Sequence, residues 1–439
     1  MTDEDFENEL RRGLATLARE AVPELEVQLR PDVVDMQARP HPDGRAARRV
    51  LVLATAITVV SLSVAGALAL RHTTGGARVE SQPASVTAVP IGPLSARSDQ
   101  MAVFTGKEVI VWGGRYQPTS NTTPPVASAA SPRSPTALGD GAAYDVATRR
   151  WRVLPPAPIA ARYGAAAVWT GSEMLVVGGL SDAVPASSYG LRTVQMEGAA
   201  YDPASNRWRR LPDSPFCTDD AGMWTGTGLV VARNCSGTPF QLAVFDPARN
   251  SWSRLPSPAE ASELFAVAGI LYTWNGGSNR GERFDAAAGK WSALPALDEQ
   301  RSISTIAGAF GDDLAVIGPK SATAPGVAVD LLAPGASAWR HFDSTDASPP
   351  LDSRREIAST AEVLVWNQGV GYAWISSDPR TGRAEIAQVV GGPVSLDRVG
   401  ETLLAIGGRR VFVWGGQSIP NGASGTSEPS NDGAVLELP

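Results

Sequence analysis

Lysine is almost missing from this 439-residue chain, with Lys107, Lys290 and Lys320 the only three. Arginine carries nearly all the positive charge, acids outnumber it, and the net charge is -7. Without a basic run in residues 85–439, the chain lacks the positive footprint that nucleic acid requires, so no nucleic-acid partner is expected. Histidine is as scarce: His41, His72 and His341 are all there are. No Cys/His cluster suggests zinc, no glycine-rich phosphate loop precedes a helix, and no G-x-S-x-G elbow or sialidase-type Asp-box occurs. No cofactor is expected and no catalytic residue is assigned. The pairs Asp219-Asp220 and Asp312-Asp313 read as turn residues.

What the chain has is a repeated phrase. Tyr144-Asp145, with Trp151 six residues after the aspartate, returns as Tyr201-Asp202 with Trp208, Phe245-Asp246 with Trp252, and Phe284-Asp285 with Trp291. Leu-Pro closes all four. Such self-similarity, at spacings of roughly 39 to 57 residues, marks one supersecondary unit copied many times. Ahead of each aspartate lies a hairpin signal and an apolar run, usually ending in two glycines. FTGKEVIVWGG and VWTGSEMLVVGG are the clearest copies, MWTGTGLVVARN a degenerate one, and later doublets stand at Gly276-Gly277 and Gly415-Gly416.

A doubled glycine after a buried strand, then an aromatic-Asp strand, then a tryptophan strand, resembles the kelch repeat, over about residues 85–439. The resemblance implies an all-β fold, a kelch-type β-propeller with four strands per blade, similar to the galactose oxidase central domain. The copper site of such oxidases uses two histidines, and only His341 falls in this region, so the likeness concerns fold alone.

Counting strands gives seven blades. The fifth has Ala333 in place of aspartate, and the sixth keeps Asp378 but has Ala384 in place of tryptophan, resting on runs such as Val363 to Trp366. The seventh copy ends after its third strand, near Ala434 to Leu438. Its missing strand is supplied from the N-terminal side, where Val86-Thr-Ala-Val-Pro90 precedes Arg97 just as Trp151-Arg-Val-Leu-Pro155 precedes Arg162. Closure of that kind leaves no unpaired edge.

Residues 50–70 carry no charge over 21 positions, enough for a helix of about 31 Å that matches a bilayer core. Arg39, Arg45, Arg48 and Arg49 precede it and Arg71 and Arg78 follow, so the expected arrangement is a single-pass cell-membrane protein, N-terminus cytoplasmic, propeller extracytoplasmic. The composition agrees with a bacterial envelope protein. A secretory signal peptide cleaved near Ala67-Leu68-Ala69 is the alternative; the long leader favours an uncleaved signal anchor. Residues 71–84 form a linker.

In residues 1–49, Phe6, Leu10, Leu14, Leu17 and Ala21 make one apolar helical stripe that suits a cytoplasmic partner or the membrane face; a frayed tail is the alternative. The segment resembles short cytoplasmic leaders of actinobacterial membrane proteins related to sigma-factor regulation, which implies an envelope-signalling role as a further reading.

Cys217 and Cys235 lie nine residues either side of Gly226 in one hairpin, so a disulfide is expected where oxidation is permitted, with two free thiols as the alternative. Strict register is one residue off, and a loop or bulge must adjust it.

Alignment on the repeats gathers Arg398, Arg97 and Arg162 at one position, nine residues before the hairpin glycine in blades seven, one and two. Asp432, Asp140 and Glu197 share another, just before Gly-Ala. These blades also hold the longest insertions, residues 115–139, 180–196 and 417–431. Two readings stand: salt bridges between neighbouring strands, or a ligand-binding arc for a polar glycan or an envelope protein, with arginines giving bidentate contacts and Trp112, Trp169 and Trp414 available for stacking. The linker reaches at most about 46 Å from the other face, so the arc should point away from the membrane. Function is expected to be binding or scaffolding; an extracytoplasmic carbohydrate-active enzyme using Asp140, Glu197 or Asp432 is the alternative.

Overall fold

A computed structural model describes residues 85–116, 136–181, 193–218, 222–233, 240–259, 263–297, 306–319, 327–343, 357–359, 363–367, 372–377, 384–389, 398–418 and 429–438. Two compact units divide the chain, residues 1–80 and 81–439. The amphipathic segment and the apolar run at 50–70 lie outside the described residues. No helix among the described residues is long and apolar enough to cross a membrane.

The second unit is an all-β propeller of four-stranded antiparallel sheets, each a meander from an inner to an outer strand. Blade one is Met101–Phe104, Glu108–Trp112, Gly141–Asp145 and Arg150–Val153. Blade two is Ala166–Trp169, Met174–Val177, Gly198–Asp202 and Arg207–Leu211. Blade three is Gly222–Trp224, Leu229–Ala232, Leu242–Asp246 and Ser251–Leu255, and blade four Glu263–Val267, Ile270–Asn275, Arg280–Asp285 and Lys290–Ala293. Blade five runs from Ile306–Phe310 to Arg340–Asp343. Another four-stranded sheet, from Ile357–Ser359 to Ala384–Val389, is described through its backbone alone. The closing sheet joins Arg398–Ala405, Arg410–Ser418 and Gly433–Glu437 to Ser85–Val89. Six blades are thus described through side chains and the remaining sheet through backbone, and the innermost strands contact one another in sequence round to the start.

Closure has the expected register: Val86 pairs with Leu436 and Val89 with Gly433. The strand 85–89 therefore covers the outer edge of the strand Gly433–Glu437.

The repeated phrase has a physical meaning. Tyr144 pairs across the outer two strands with Trp151, Tyr201 with Trp208, Phe245 with Trp252 and Phe284 with Trp291. Their ring centroids lie 5.1, 5.0, 5.3 and 5.1 Å apart, within the range of favourable aromatic pairs. Each aspartate then caps its own turn: Asp145 accepts from the Thr148 N–H at 2.7 Å, Asp202 from Ala204 at 2.8 Å, Asp246 from Ala248 at 2.9 Å and Asp285 from Ala287 at 2.9 Å. The closing Leu-Pro serves the neighbour. Trp151, Trp208, Trp252, Trp291 and Trp339 each donate an indole N–H to a proline carbonyl of the preceding blade, at Pro90, Pro155, Pro212, Pro256 and Pro295, over 2.8–3.0 Å.

Cys217 is disulfide-bonded. Cys235, the other cysteine in the sequence, lies outside the described residues.

Two outcomes are expected. Deleting residues 85–92 uncovers the Gly433–Glu437 edge and removes Pro90, the acceptor for Trp151, so calorimetry should show Tm falling by about 10 °C or more, or cooperativity lost. Cys217→Ser with Cys235→Ser should cost about 2–4 kcal/mol in denaturant unfolding, and alkylation of the denatured protein should add mass only after reduction.

Candidate functional site

Arg97, Arg162 and Arg398 stand where the chain enters blade one, blade two and the closing sheet, and they are buried, at 0, 0 and 2% exposure. All five N–H groups of Arg97 are used. Nη1 donates to the Gly113 carbonyl at 3.0 Å and to Asp140 Oδ1 at 2.8 Å. Nη2 donates to Asp140 Oδ2 at 3.1 Å and Ser95 Oγ at 3.0 Å, and Nε to the Ser95 carbonyl at 2.9 Å. Arg162 repeats the pattern on the carbonyls of Ala160, Gly178 and Glu197 and on Glu197 Oε2 at 3.1 Å. Arg398 holds the carbonyls of Gly415 and Asp432 and pairs with Asp432 Oδ1 at 2.7 Å.

The six aligned residues therefore do come together, as three pairs, each inside its own blade. All five donors of Arg97, and the bonds described for Arg162 and Arg398, run to the protein, and the three side chains are buried. They bind the root of the strand two-to-three connection. In each case the carbonyl they grip belongs to the first glycine of a doublet, Gly113, Gly178 or Gly415, held at φ of 72, 76 and 71°. The second glycine reaches the next blade: Gly114 N–H donates to the Arg162 carbonyl at 2.9 Å, Gly179 to Thr218 at 2.8 Å and Gly416 to Arg97 at 2.8 Å. A Cβ on Gly178 would lie 2.3 Å from the Thr218 carbonyl oxygen, so both backbone angle and space demand glycine there.

The acids differ from the arginines in being half in water, with side-chain exposures of 53% for Asp140, 33% for Glu197 and 39% for Asp432. Burial pushes the Asp140 carboxyl upward, but the Arg97 hydrogen bonds and charge outweigh it and hold the group below its ordinary value. Burial draws Arg162 below the usual guanidinium range, against the opposing charge of Glu197. Glu197 is also paired with Arg210, and Asp99 with Arg115, whose guanidinium lies 5.2 Å from the centre of the Tyr163 ring.

Trp112 and Trp414 are fully buried and Trp169 packs on the core, so none is placed for stacking. Repeat alignment missed a different group. Ile91, Tyr116, Val194 and Met196 are exposed apolar side chains, at 78, 39, 38 and 45%, and all sit in the connections at this same face of the closing sheet and blades one and two. Tyr116, Val194 and Met196 lie within the insertions 115–139 and 180–196, and Ile91 in the connection that follows the closing strand. His341 lies elsewhere, in blade five, with Nδ1 2.8 Å from Asp330 Oδ1.

No protein-family model matches this chain, and no curated protein matches it in sequence.

Asp140→Ala strands a buried cation and should cost about 2–3 kcal/mol, below the full value for a buried pair because the carboxylate is half solvated. Arg97→Met with Asp140→Ala should recover part of that loss in denaturant unfolding. A depressed folded-state pKa means that the Asp140 contribution is complete above the ordinary carboxyl value of 3.8 and fades as pH falls through the folded value. Asp140→Asn should flatten that acid limb of the stability curve.

Proposed function

We propose that the chain is a membrane-anchored, extracytoplasmic kelch-type β-propeller that binds or scaffolds a glycan or protein partner in a bacterial cell envelope. Support for the anchor is the uncharged run at 50–70 with arginines biased to its N-terminal side. One observation carries the binding role. On a single face of three consecutive blades, four exposed apolar side chains stand among three half-exposed carboxylates, on connections whose roots are clamped by buried arginines. Rigidly rooted connections displaying apolar groups are where recognition concentrates. Apolar side chains among carboxylates favour a protein partner with a basic rim over a neutral sugar.

The carbohydrate-active alternative would use Asp140, Glu197 or Asp432 as acid and base. Each of these is bound to a buried arginine, and the Asp140 proton is held less tightly than in water, which suits a general acid poorly. The signalling alternative needs a partner for residues 1–45 in addition.

Fractionation should place the full chain in membranes, with the propeller degraded by protease added outside. The detergent-purified chain should bind a solubilised envelope protein or glycan, and Tyr116→Ser with Met196→Ser should weaken that binding about tenfold without changing Tm. Equal retention by the variant would overturn the assignment to this face, and turnover of a glycan that is lost in Asp140→Asn would favour the enzyme.

A further inference from the structure

The opposite face of the propeller, where the hairpin turns lie, carries a cleft of about 700 Å3 between blades three and four. Its origin is a seal present at the two preceding blade interfaces and absent here. Between blades one and two, Arg152 makes a two-pronged contact with Glu108 of its own blade, at 3.1 and 2.7 Å, and reaches across to the Tyr201 hydroxyl at 2.7 Å, which in turn donates to Asn206 at 2.7 Å. Between blades two and three, Arg209 holds Glu173 at 2.8 and 2.7 Å and reaches Asn250 at 3.3 Å.

At the third interface the aligned residues are Ser253 for the arginine, Gly228 for the glutamate, Phe284 for the tyrosine and Gly289 for the asparagine. The arginine, glutamate and asparagine common to both sealed interfaces are all cut back, while the tyrosine position is already Phe245 at the sealed second interface. The walls behind the seal are uncovered in consequence. Tyr201 and Phe245 are 0% exposed, and Leu154 and Leu211 are 6 and 4%. Their counterparts Phe284 and Leu255 are only half-buried, as is Val244, which stands where Ala143 and Ala200 are fully buried.

We propose that this cleft is a binding site for a small organic acid with an aromatic or similarly flat apolar body. The volume lies within the range of small-molecule sites. Val244, Leu255, Phe284 and Trp291 line it with apolar and aromatic surface, and the Thr227 hydroxyl lies among them. Trp291 is held by its bond to the Pro256 carbonyl, so its ring is a fixed wall. The charged residues that line it are Arg283, Asp285 and Lys290, the last two standing opposite each other in the outer two strands of blade four. Asp285 is turned to its own hairpin, accepting from Ala287 and Ala288 at 2.9 and 3.0 Å. Lys290 has no carboxylate partner among the described residues, which leaves a cation to meet the acid group. The site stands apart from the arc of the closing sheet and blades one and two and does not depend on the role given to it.

1-Naphthoate and its neutral counterpart 1-naphthamide are suitable probes, titrated against the full chain in detergent by ligand-observed NMR. Partition into micelles is common to all variants and cancels in the comparison. The wild type should show saturable binding of both probes. Val244→Trp, which fills the cleft, should weaken both about tenfold or more, and Lys290→Glu should weaken naphthoate about fivefold while leaving naphthamide within about twofold. Lys290 is exposed, so that variant folds normally even if Val244→Trp does not. No saturable binding by the wild type, or equal loss of acid and amide in Lys290→Glu, would overturn the proposal.

Discussion

A four-stranded sheet with two apolar faces and no helix to cover either can be stable only between two others like it, and this constraint governs the whole propeller. In blade one, Ile110, Trp112 and Ala143 pack toward blade two while Val109, Val111 and Tyr144 pack toward the closing sheet. Neither face is finished within the blade. Ring closure follows as a requirement, because an open array would expose one face and one edge at each end. The strand Ser85–Val89 removes the edge, and the indole-to-proline bonds tie each tryptophan strand to the blade before it. The Leu-Pro and Trp of the repeat are therefore two halves of one contact, written in successive copies.

The same economy explains the arginines. A strand two-to-three connection that must begin with two residues at positive φ turns backbone carbonyls away from the sheet ladder, where they need donors. A guanidinium, planar and always charged, can serve several such carbonyls and a carboxylate at once. Arg97, Arg162 and Arg398 do this at three successive roots, with the acid placed so that the buried charge is compensated while its outer face remains in water. A ligand could not compete for those donors without releasing the connection. Surface and support at this arc are thus carried by different residues: arginines below, acids and apolar side chains above.

How much of this was legible beforehand depends on what periodicity encodes. Spacing carries register, so the strands, the borrowed closing strand and the grouping of Arg97, Arg162 and Arg398 with Asp140, Glu197 and Asp432 could all be read from the repeat. Depth is not encoded in spacing. An arginine aligned at the start of a strand can point to water or into the blade, and only the carbonyls of Gly113, Gly178 and Gly415, brought in from 16 or 17 residues away, decide between them. The exposed Tyr116 and Met196 stayed invisible for a related reason, since they lie outside the repeat and have no aligned counterparts.

Departures from a repeat divide into those that weaken a blade and those that shape a surface, and the difference lies in whether one partner changes or all of them do. Losing only Arg209 would leave Glu173 and Asn250 facing an empty interface, a cost without a use. In blade three the aligned glutamate and arginine are both gone, and in blade four the asparagine is gone with them, so among the described residues no member of the seal is left without its partner at the third interface. Coordinated loss of this kind leaves a cleft with apolar walls and charged groups along its lining where two neighbouring interfaces are sealed. The turn sequence TGTG, against TGKE and TGSE in the two blades before it, is the trace of that change, and it becomes readable once Glu108 and Glu173 are known to be seals.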